Sequence, residues 1–276
     1  MTAVTHQRPA YRVTFRGVVT AEWTKFWSLR SSAITTVVAV LVLIAVGVIA
    51  AASATADGGG PGPGPGGPGG PRGDEIDALS LTLAGNTFAA LAVGALGVLL
   101  AAGEYTTGMI RSTMTAVPRR LPVLGAKALV AGVVTLVATA IGALAAFQLG
   151  TPLLDDSITR LTLGDDGVLR SVLGAGLYLG LVAVLGVGVG ALVRSSAGGV
   201  AILAGALLVL PGLVSLLPGS WTDDLTKYLP SNAGATIMSA GQADGAFGPW
   251  AGLAVFTGYV ALVLAAAAVR LRKTDV

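Results

Sequence analysis

Six long stretches without a charged residue divide the chain. They lie between Arg30 and Asp57, Asp77 and Glu104, Lys127 and Asp155, Arg170 and Arg194, Arg194 and Asp223, and Asp244 and Arg270. A helix needs about 20 apolar residues to cross a bilayer, and each stretch is longer than that. Because lipid offers the backbone no hydrogen-bond partners, such stretches should be helices. The pattern therefore predicts an all-α polytopic membrane protein with six transmembrane helices, near 33–54, 80–102, 128–149, 171–193, 197–216 and 250–269.

The composition agrees with this prediction and excludes several kinds of functional site. Of the 276 residues, 54% are hydrophobic and 11% are charged, whereas about a quarter of an ordinary soluble domain is charged. The chain has no cysteine, so a disulfide framework and Cys-based metal or redox sites are excluded. Its one histidine, His6, cannot form a multi-histidine metal site.

Basic residues are concentrated on one side of the predicted membrane domain. They are Arg8, Arg12, Arg16, Lys25 and Arg30 before the first span, Arg111, Arg119, Arg120 and Lys127 between the second and third, Arg194 between the fourth and fifth, and Arg270, Arg272 and Lys273 after the sixth. Most acidic residues lie on the other side. The positive-inside rule predicts that residues 1–32 and the tail 270–276 are cytoplasmic and flank a membrane domain over 33–269. An Ala/Gly/Val-rich chain with more Arg than Lys is typical of a GC-rich bacterium, which indicates a bacterial plasma membrane.

The first apolar stretch has a second interpretation, as a cleaved signal peptide. Residues 33–56 end in Ala54-Thr55-Ala56, which resembles a signal-peptidase site. However, the apolar run is longer than a signal core and a long N-terminal segment precedes it. An uncleaved span is the favoured interpretation.

The loops on the acidic side carry weak signals. The outer loop 57–78 contains a Gly/Pro run over 58–73, which cannot bury a core and should be a disordered spacer. The region 217–249 is interrupted by prolines and is predicted to be an outer segment that dips partly into the membrane. Three acidic pairs lie in the outer loops, where they are either solvated charges or a cation site: Asp155-Asp156, Asp165-Asp166 and Asp223-Asp224.

Residues 11–30 are predicted to form an amphipathic helix. Its apolar face comprises Tyr11, Phe15, Val18, Val19, Trp23 and Phe26. Tryptophans beside Lys25 and Arg30 suit the membrane interface and anionic headgroups. Glu22 interrupts the apolar face, and either Lys25 or a protein partner could balance its charge.

The predicted spans carry no ionisable residue in their middles. This argues against a proton-coupled transporter and against an intramembrane enzyme. The polar candidates for a substrate pathway are Asn86, Thr87, Gln148 and Tyr178, although helix–helix hydrogen bonds are the commoner role. An apolar pathway favours lipidic, amphipathic or drug-like cargo.

Glycine and proline mark two further features of the spans. Span four contains two GxxxG pairs, Gly176/Gly180 and Gly186/Gly190, which favour close helix approach. Pro211-Gly212 should interrupt span five because proline removes a helix hydrogen bond.

Known catalytic motifs are absent from the sequence. It contains no phosphate-binding P-loop, no Gly-x-Ser-x-Gly elbow and no His-Glu-x-x-His. The chain is therefore predicted not to be an enzyme and to hold no cofactor.

The most informative segment is the loop 103–127. It contains Glu104, Thr107-Gly108, Arg111, Pro118-Arg119-Arg120 and Lys127 in that order, with a predicted helix around 105–115. In this order and spacing around six spans, it resembles the first cytoplasmic loop of the permease subunits of ABC-2 type ABC transporters. Glu22-Trp23-Thr24-Lys25 with Ser28 and Arg30, and Tyr228-Leu229-Pro230-Ser231, resemble two other segments of that family. The Gly/Pro run departs from the family pattern.

The resemblance implies a separate role for each of three segments of the chain. Residues 11–30, with Glu22, Trp23, Lys25 and Arg30, would be an interfacial elbow helix, and 217–249 would include outer re-entrant helices. Residues 104–115 would be the coupling helix that docks on a separate ATPase. The implied ATPase-coupling residues are Glu104, Tyr105, Thr107, Gly108, Arg111, Arg119 and Arg120, although the three arginines could equally contact lipid headgroups.

The resemblance also implies partners. ATP and Mg²⁺ would bind to the ATPase, and a second permease half, identical or different, would complete a pathway that uses spans two and five. Membrane lipid is expected as a partner, nucleic acid is not, and export is the expected direction. The alternative is an energy-independent sensor, assembly factor or facilitator.

Overall fold

The structure is a computed structural model that describes residues 13–54, 78–117, 120–154, 158, 160–216, 225–239 and 247–273. All regular structure in these ranges is helical. Six segments are long and apolar enough to cross a membrane: Arg30–Ser53, Ala78–Thr106, Arg120–Leu153, Val168–Val193, Ser196–Val214 and Pro249–Lys273. They are called spans one to six here. The prediction of an all-α chain with six such helices is confirmed.

The helix boundaries refine the predicted ranges. The described helices are Phe15–Ser28, Arg30–Ser53, Ala78–Thr82, Asn86–Thr106, Met109–Ala116, Arg120–Gly150, Val168–Val193, Ser196–Ala204, Leu210–Ser215, Pro230–Ala235 and Pro249–Lys273. Short 3₁₀ turns follow two of them, Thr151–Leu153 and Thr236–Met238. Span three begins at Arg120, earlier than the predicted 128, because a helix continues past the edge of an apolar run while its backbone bonds persist.

Span four is the centre of the bundle and packs through its glycines on two sides. Of its most apolar window, 78% is buried. A Cβ added at Gly176 would lie 2.6 Å from the Ala140 Cβ of span three, and one added at Gly186 would lie 2.2 Å from the Gly94 carbonyl oxygen of span two. The predicted close helix approach is confirmed, and each GxxxG pair serves a different neighbouring span.

Spans one, five and six turn most of their side chains outward. Only 22%, 22% and 28% of their apolar windows are buried. Large aliphatic side chains such as Ile34, Leu41, Leu213 and Leu262 are more than half exposed. An apolar surface of this extent suits contact with lipid or with another membrane protein rather than with water.

The predicted interruption of span five takes the form of a π-helical segment. It covers Gly205–Val209, directly before the proline, and the Leu210 N–H donates to the Gly205 carbonyl five residues back. Pro211 has no N–H and its ring crowds the preceding turn, so the wider i to i+5 pattern absorbs the mismatch.

Most of the described basic residues lie at one end of the bundle. This end, called the basic end here, gathers the N-terminal helix (Phe15–Ser28), the loop between spans two and three, Arg194 and the last turns of span six. Arg120 Nη1, for example, donates to the Leu271 carbonyl at 3.1 Å. At the opposite end, Arg170 donates to the Ser239 carbonyl at 2.8 Å. An even number of spans explains why both ends of the described chain meet at the basic end.

A short helix at the opposite end, Pro230–Ala235, packs between spans four and six. A Cβ added at Gly234 would lie 2.3 Å from the Tyr178 ring, and Tyr259 donates to the Tyr228 carbonyl at 2.8 Å. Most of the outer loop 57–78, the pairs Asp155-Asp156 and Asp223-Asp224, and residues 217–224 and 240–246 lie outside the described residues, as does His6. A membrane-dipping role for 217–249 stays a prediction.

Candidate functional site

Glu104 lies in the last turn of span two and is buried. Only 3% of the residue is exposed. Its Oε1 accepts a hydrogen bond from Lys127 Nζ at 2.6 Å and another from Lys25 Nζ. One carboxylate oxygen thus joins span two to span three and to the N-terminal helix.

Lys127 extends this contact to a second carboxylate. Its Nζ also donates to Glu22 Oε2 at 2.8 Å, across 105 positions of the sequence. The resulting chain of alternating charges runs Glu22, Lys127, Glu104, Lys25, and is called the ionic cluster here. Two carboxylates and two ammonium groups balance, so the cluster can lie in a poorly hydrated place without a net charge.

The N-terminal helix brings its two charged residues to the cluster through its packing. Thr14 caps the helix by accepting from the Gly17 N–H at 3.2 Å. Val18, Glu22 and Phe26, spaced by four residues, are the buried positions, and Lys25 lies beside them. Glu22 therefore belongs to the inward face.

The predicted apolar face of this helix is divided in the structure. Phe15 and Trp23 were placed on the same face as Val18 and Phe26, yet they are 52% and 45% exposed. The helix is rotated so that Val18, Glu22 and Phe26 face the bundle, and this rotation places Trp23 on the outward side. Lys25 pairs with Glu104 instead of with Glu22, because span two offers it a buried carboxylate.

One atom of the ionic cluster lacks a partner within the described chain. Glu104 Oε2 is buried and accepts no hydrogen bond there. A cavity of about 20 Å³ adjoins Glu104 and Lys127, with Ile110, Met114 and Leu271 among its other lining residues. Its size suits a single water molecule.

The sequence predicted one continuous helix over 105–115 in the loop between spans two and three. The structure has two helices there instead. Span two continues through Tyr105 to Thr106, and Gly108 then adopts a left-handed conformation with φ +72. A separate helix, the loop helix, follows over Met109–Ala116. Glycine reaches positive φ without a steric penalty, so it permits a sharp change of direction that periodicity does not reveal.

The loop helix has one buried side and one open side. Ile110 is 7% exposed and Met114 packs against the basic end of the bundle. Met109, three residues before the exposed Ser112, is 41% exposed. The Thr107 hydroxyl donates to the Gly103 carbonyl at 2.9 Å and stabilises the last turn before the bend.

Tyr105 makes a contact that the sequence did not predict. The Arg194 guanidinium lies over its ring, 5.0 Å from the ring centroid, which is the geometry of a cation–π interaction. From the sequence, Arg194 was used only to assign topology, because no local pattern relates a residue after span four to one at the end of span two.

The remaining basic candidates are dispersed. Arg120 packs against the end of span six through the Leu271 carbonyl. Arg30 is exposed at the start of span one. Arg119 lies outside the described residues, and so does the side chain of Arg111 within the loop helix.

The four polar candidates for a substrate pathway occupy different environments. Asn86 is buried and its Oδ1 has no hydrogen-bond partner among the described residues. Tyr178 is buried against Phe256, with ring centroids 5.2 Å apart. Thr87 and Gln148 are exposed. Gln148 lines an open groove of about 270 Å³ that none of the other three reaches. A shared pathway for these four residues stays a prediction.

Comparison with known proteins adds no assignment to these observations. No protein-family model matches the chain, and no curated protein matches it. In the described part of the chain, no three potential metal-ligating side chains lie together. The fold and the site therefore define an all-helical protein with six potential spans and a buried ionic cluster at its basic end.

Proposed function

We propose that this chain is the membrane-spanning permease subunit of an ABC-2 type transporter that exports its substrate and is driven by a separate ATPase. The observation that carries the proposal is the ionic cluster. Glu22 and Lys25 belong to one segment that resembles the family, and Glu104 and Lys127 belong to another. In the folded chain these four residues contact one another.

The position of the cluster suits transmission of movement. Glu104 stands four residues before Gly108, and the loop helix begins directly after that glycine. A partner that displaces the loop helix would move the end of span two. Through Lys127 and Lys25 that movement would reach span three and the N-terminal helix together. Transporters alternate between inward-open and outward-open states through rigid-body shifts of this kind.

The proposed energy source and second half lie on other chains. The sequence has no P-loop, so ATP and Mg²⁺ would bind to the ATPase partner. The outward apolar surface of span five is open to contact by a second permease half, with which this chain would form a pathway along spans two and five. In this arrangement the basic end faces the cytoplasm of a bacterium, where the ATPase is found.

The test is co-purification with the ATPase encoded next to this chain. Met109→Asp and Ser112→Asp place a charge on the open side of the loop helix, and we expect each to reduce the retained ATPase at least tenfold. Thr20→Asp is the matched control, because Thr20 is exposed at the same end but on the N-terminal helix. If no ATPase is encoded nearby and none co-purifies, the energy-independent sensor, assembly factor or facilitator replaces this proposal.

A second variant examines the cluster itself. Glu104→Gln removes the charge that Lys25 and Lys127 share, while Lys127 keeps Glu22. We expect the ATPase to bind normally but its hydrolysis to become independent of the permease. If the permease still stimulated hydrolysis to the wild-type level, the ionic cluster would not be needed for coupling.

A further inference from the structure

Arg194 ends span four in an unusual backbone conformation. Its φ is +62, and among the described residues it alone has a positive φ without being glycine. A left-handed conformation costs a side-chain-bearing residue about 1 kcal/mol or more. The conformation ends the helix with the guanidinium over Tyr105. A strained residue with a well-defined side-chain position is a reason to ask what it binds.

The guanidinium of Arg194 presents an unused fork. Its Nε and Nη2 are both buried and have no hydrogen-bond partner within the described chain. These two nitrogens lie on one edge of the group, which is the edge that binds two oxygens of a carboxylate or phosphate at once. The residue as a whole is partly exposed while this edge is buried, so a ligand from outside the chain meets the fork when the Arg194 side chain turns outward.

A second guanidinium lies beside the first. Arg270, near the end of span six, donates through Nη1 to the Leu192 carbonyl, two residues before Arg194. The ion pairs between described residues all belong to the ionic cluster. No carboxylate of the described residues therefore neutralises Arg194 or Arg270, and the ends of spans four and six carry a local positive charge.

The face of span six that is turned away from span four is apolar. Leu262 and Val269 on span six are 66% and 50% exposed. Lys273 follows at helical spacing on the same face and is exposed. Arg270 lies between this outward face and the side of span six that packs on span four. An acidic phospholipid with its acyl chains on the outward face can therefore place its headgroup against Arg270.

We propose that Arg194 and Arg270 bind the phosphate of an anionic phospholipid between the ends of spans four and six. The Arg194 fork takes two phosphate oxygens, and Arg270 supplies a second charge. Basic sites between transmembrane helices on the cytoplasmic side are suited to acidic headgroups. The inference depends on the spans crossing a membrane and not on the proposed transport function.

The experiment measures lipid binding to the purified chain without any ATPase. The detergent-solubilised protein is titrated with phosphatidylglycerol or phosphatidylcholine, and bound lipids are counted by native mass spectrometry. We expect wild type to prefer phosphatidylglycerol, and Arg194→Ala with Arg270→Ala to weaken its binding by about tenfold or more. Arg30→Ala is the control, because it removes an exposed positive charge at the same end outside the site.

Two further arms identify what the site recognises. Arg194→Lys keeps the charge and the backbone strain but loses the fork, and we expect at least threefold weaker binding. Unchanged binding in this variant would overturn the role of the fork. Inorganic phosphate should compete with phosphatidylglycerol. If phosphate binds and is lost in the double variant while the two lipids bind equally, the site belongs to a free anion and the lipid proposal is wrong.

Two other results would also overturn it. Equal loss of phosphatidylglycerol in Arg30→Ala and in the double variant would show binding to diffuse surface charge. Unchanged lipid binding in the double variant, with loss of a co-purifying protein, would assign the two arginines to a protein interface. Thermal melting and size-exclusion profiles of each variant establish that it is folded.

Discussion

Lys127 and Glu104 lie 2.6 Å apart at the basic ends of spans three and two, and Lys127 reaches Glu22 of the N-terminal helix at 2.8 Å. The ammonium group thus stands between two carboxylates. Only 6% of Lys127 and 3% of Glu104 are exposed. Charges removed from water to this degree depend on one another, because each loses its hydration and regains stabilisation only from its partners.

The first prediction concerns the middle of the ionic cluster. Lys127→Met keeps an unbranched side chain of nearly the same length. It leaves the two carboxylates, Glu22 and Glu104, with a single ammonium group, that of Lys25. We expect the free energy of unfolding to fall by about 3–5 kcal/mol, measured by SDS titration or thermal melting in detergent. Lys25→Met leaves the same charge imbalance and is the comparison. Lys25 is 21% exposed and both carboxylates keep Lys127, so we expect a smaller loss than for Lys127→Met.

Restoring the charge balance should recover part of that loss. In the double variant Glu22→Gln with Lys127→Met, one carboxylate and one ammonium group remain, Glu104 and Lys25. This variant should be more stable than Lys127→Met alone. If the two variants were equally unstable, the loss would come from packing around Lys127 and not from unbalanced charge.

The second prediction tests the packing of spans two and four. A methyl group at Gly186 would lie 2.2 Å from the Gly94 carbonyl oxygen, and backbone cannot move aside as a side chain can. Gly186→Ala should therefore separate the two helices and cost about 1–3 kcal/mol.

Gly258→Ala is the matched control for this substitution. Gly258 lies in span six, where an added Cβ meets nothing within 4 Å. We expect this variant to be neutral or more stable by up to about 1 kcal/mol, because alanine loses less conformational entropy in a helix. Equal melting temperatures of the two variants would argue against the close approach of spans two and four.

The third prediction concerns the bend before the loop helix. Gly108 has φ +72 and open space where a Cβ would lie, so any cost of Gly108→Ala is conformational, about 1–2 kcal/mol. We expect the loop helix to shift toward a continuation of span two. Asparagine tolerates the left-handed region, so Gly108→Asn should keep the bend.

Spin labels provide the measurement. The native chain has no cysteine, so cysteines introduced at Ser112 and Thr20 are the only thiols. Pulsed electron paramagnetic resonance measures the distance between the two labels. This distance should be changed or more broadly distributed in Gly108→Ala and equal to the wild-type distance in Gly108→Asn. The same distance in all three proteins would mean that the surrounding packing, and not Gly108, sets the direction of the loop helix.

The fourth prediction concerns orientation in the membrane. Ser112 and Asp166 are exposed at opposite ends of the bundle, and each can be changed to cysteine in the cysteine-free chain. In intact spheroplasts, a membrane-impermeant maleimide should label Asp166→Cys only. Ser112→Cys should be labelled after lysis. The reverse pattern would place the basic end outside and would contradict the positive-inside assignment.

The spans and their order follow from local properties of the sequence, whereas the contacts among Glu22, Lys25, Glu104 and Lys127 do not. The positions of Glu104 and Lys127 at the edges of consecutive apolar stretches already placed them at the same end. Which carboxylate each lysine meets depends on the rotation of the N-terminal helix about its axis. That rotation is fixed by the burial of Val18 and Phe26. The periodicity of residues 11–30 placed Phe15 and Trp23 on the same apolar face and could not show that these two would be exposed.

By itself the sequence determined that six helices form and that the basic residues gather at one end, because backbone hydrogen bonding in lipid and the cost of burying charge act on every segment separately. Only the tertiary structure decided that Gly108 breaks the loop, that Arg194 lies over Tyr105, and that Lys127 joins three helices. The bend at Gly108 depends on which of several φ values open to glycine the packing selects. The other two contacts depend on how helices far apart in the chain are rotated against one another, which only their mutual packing determines.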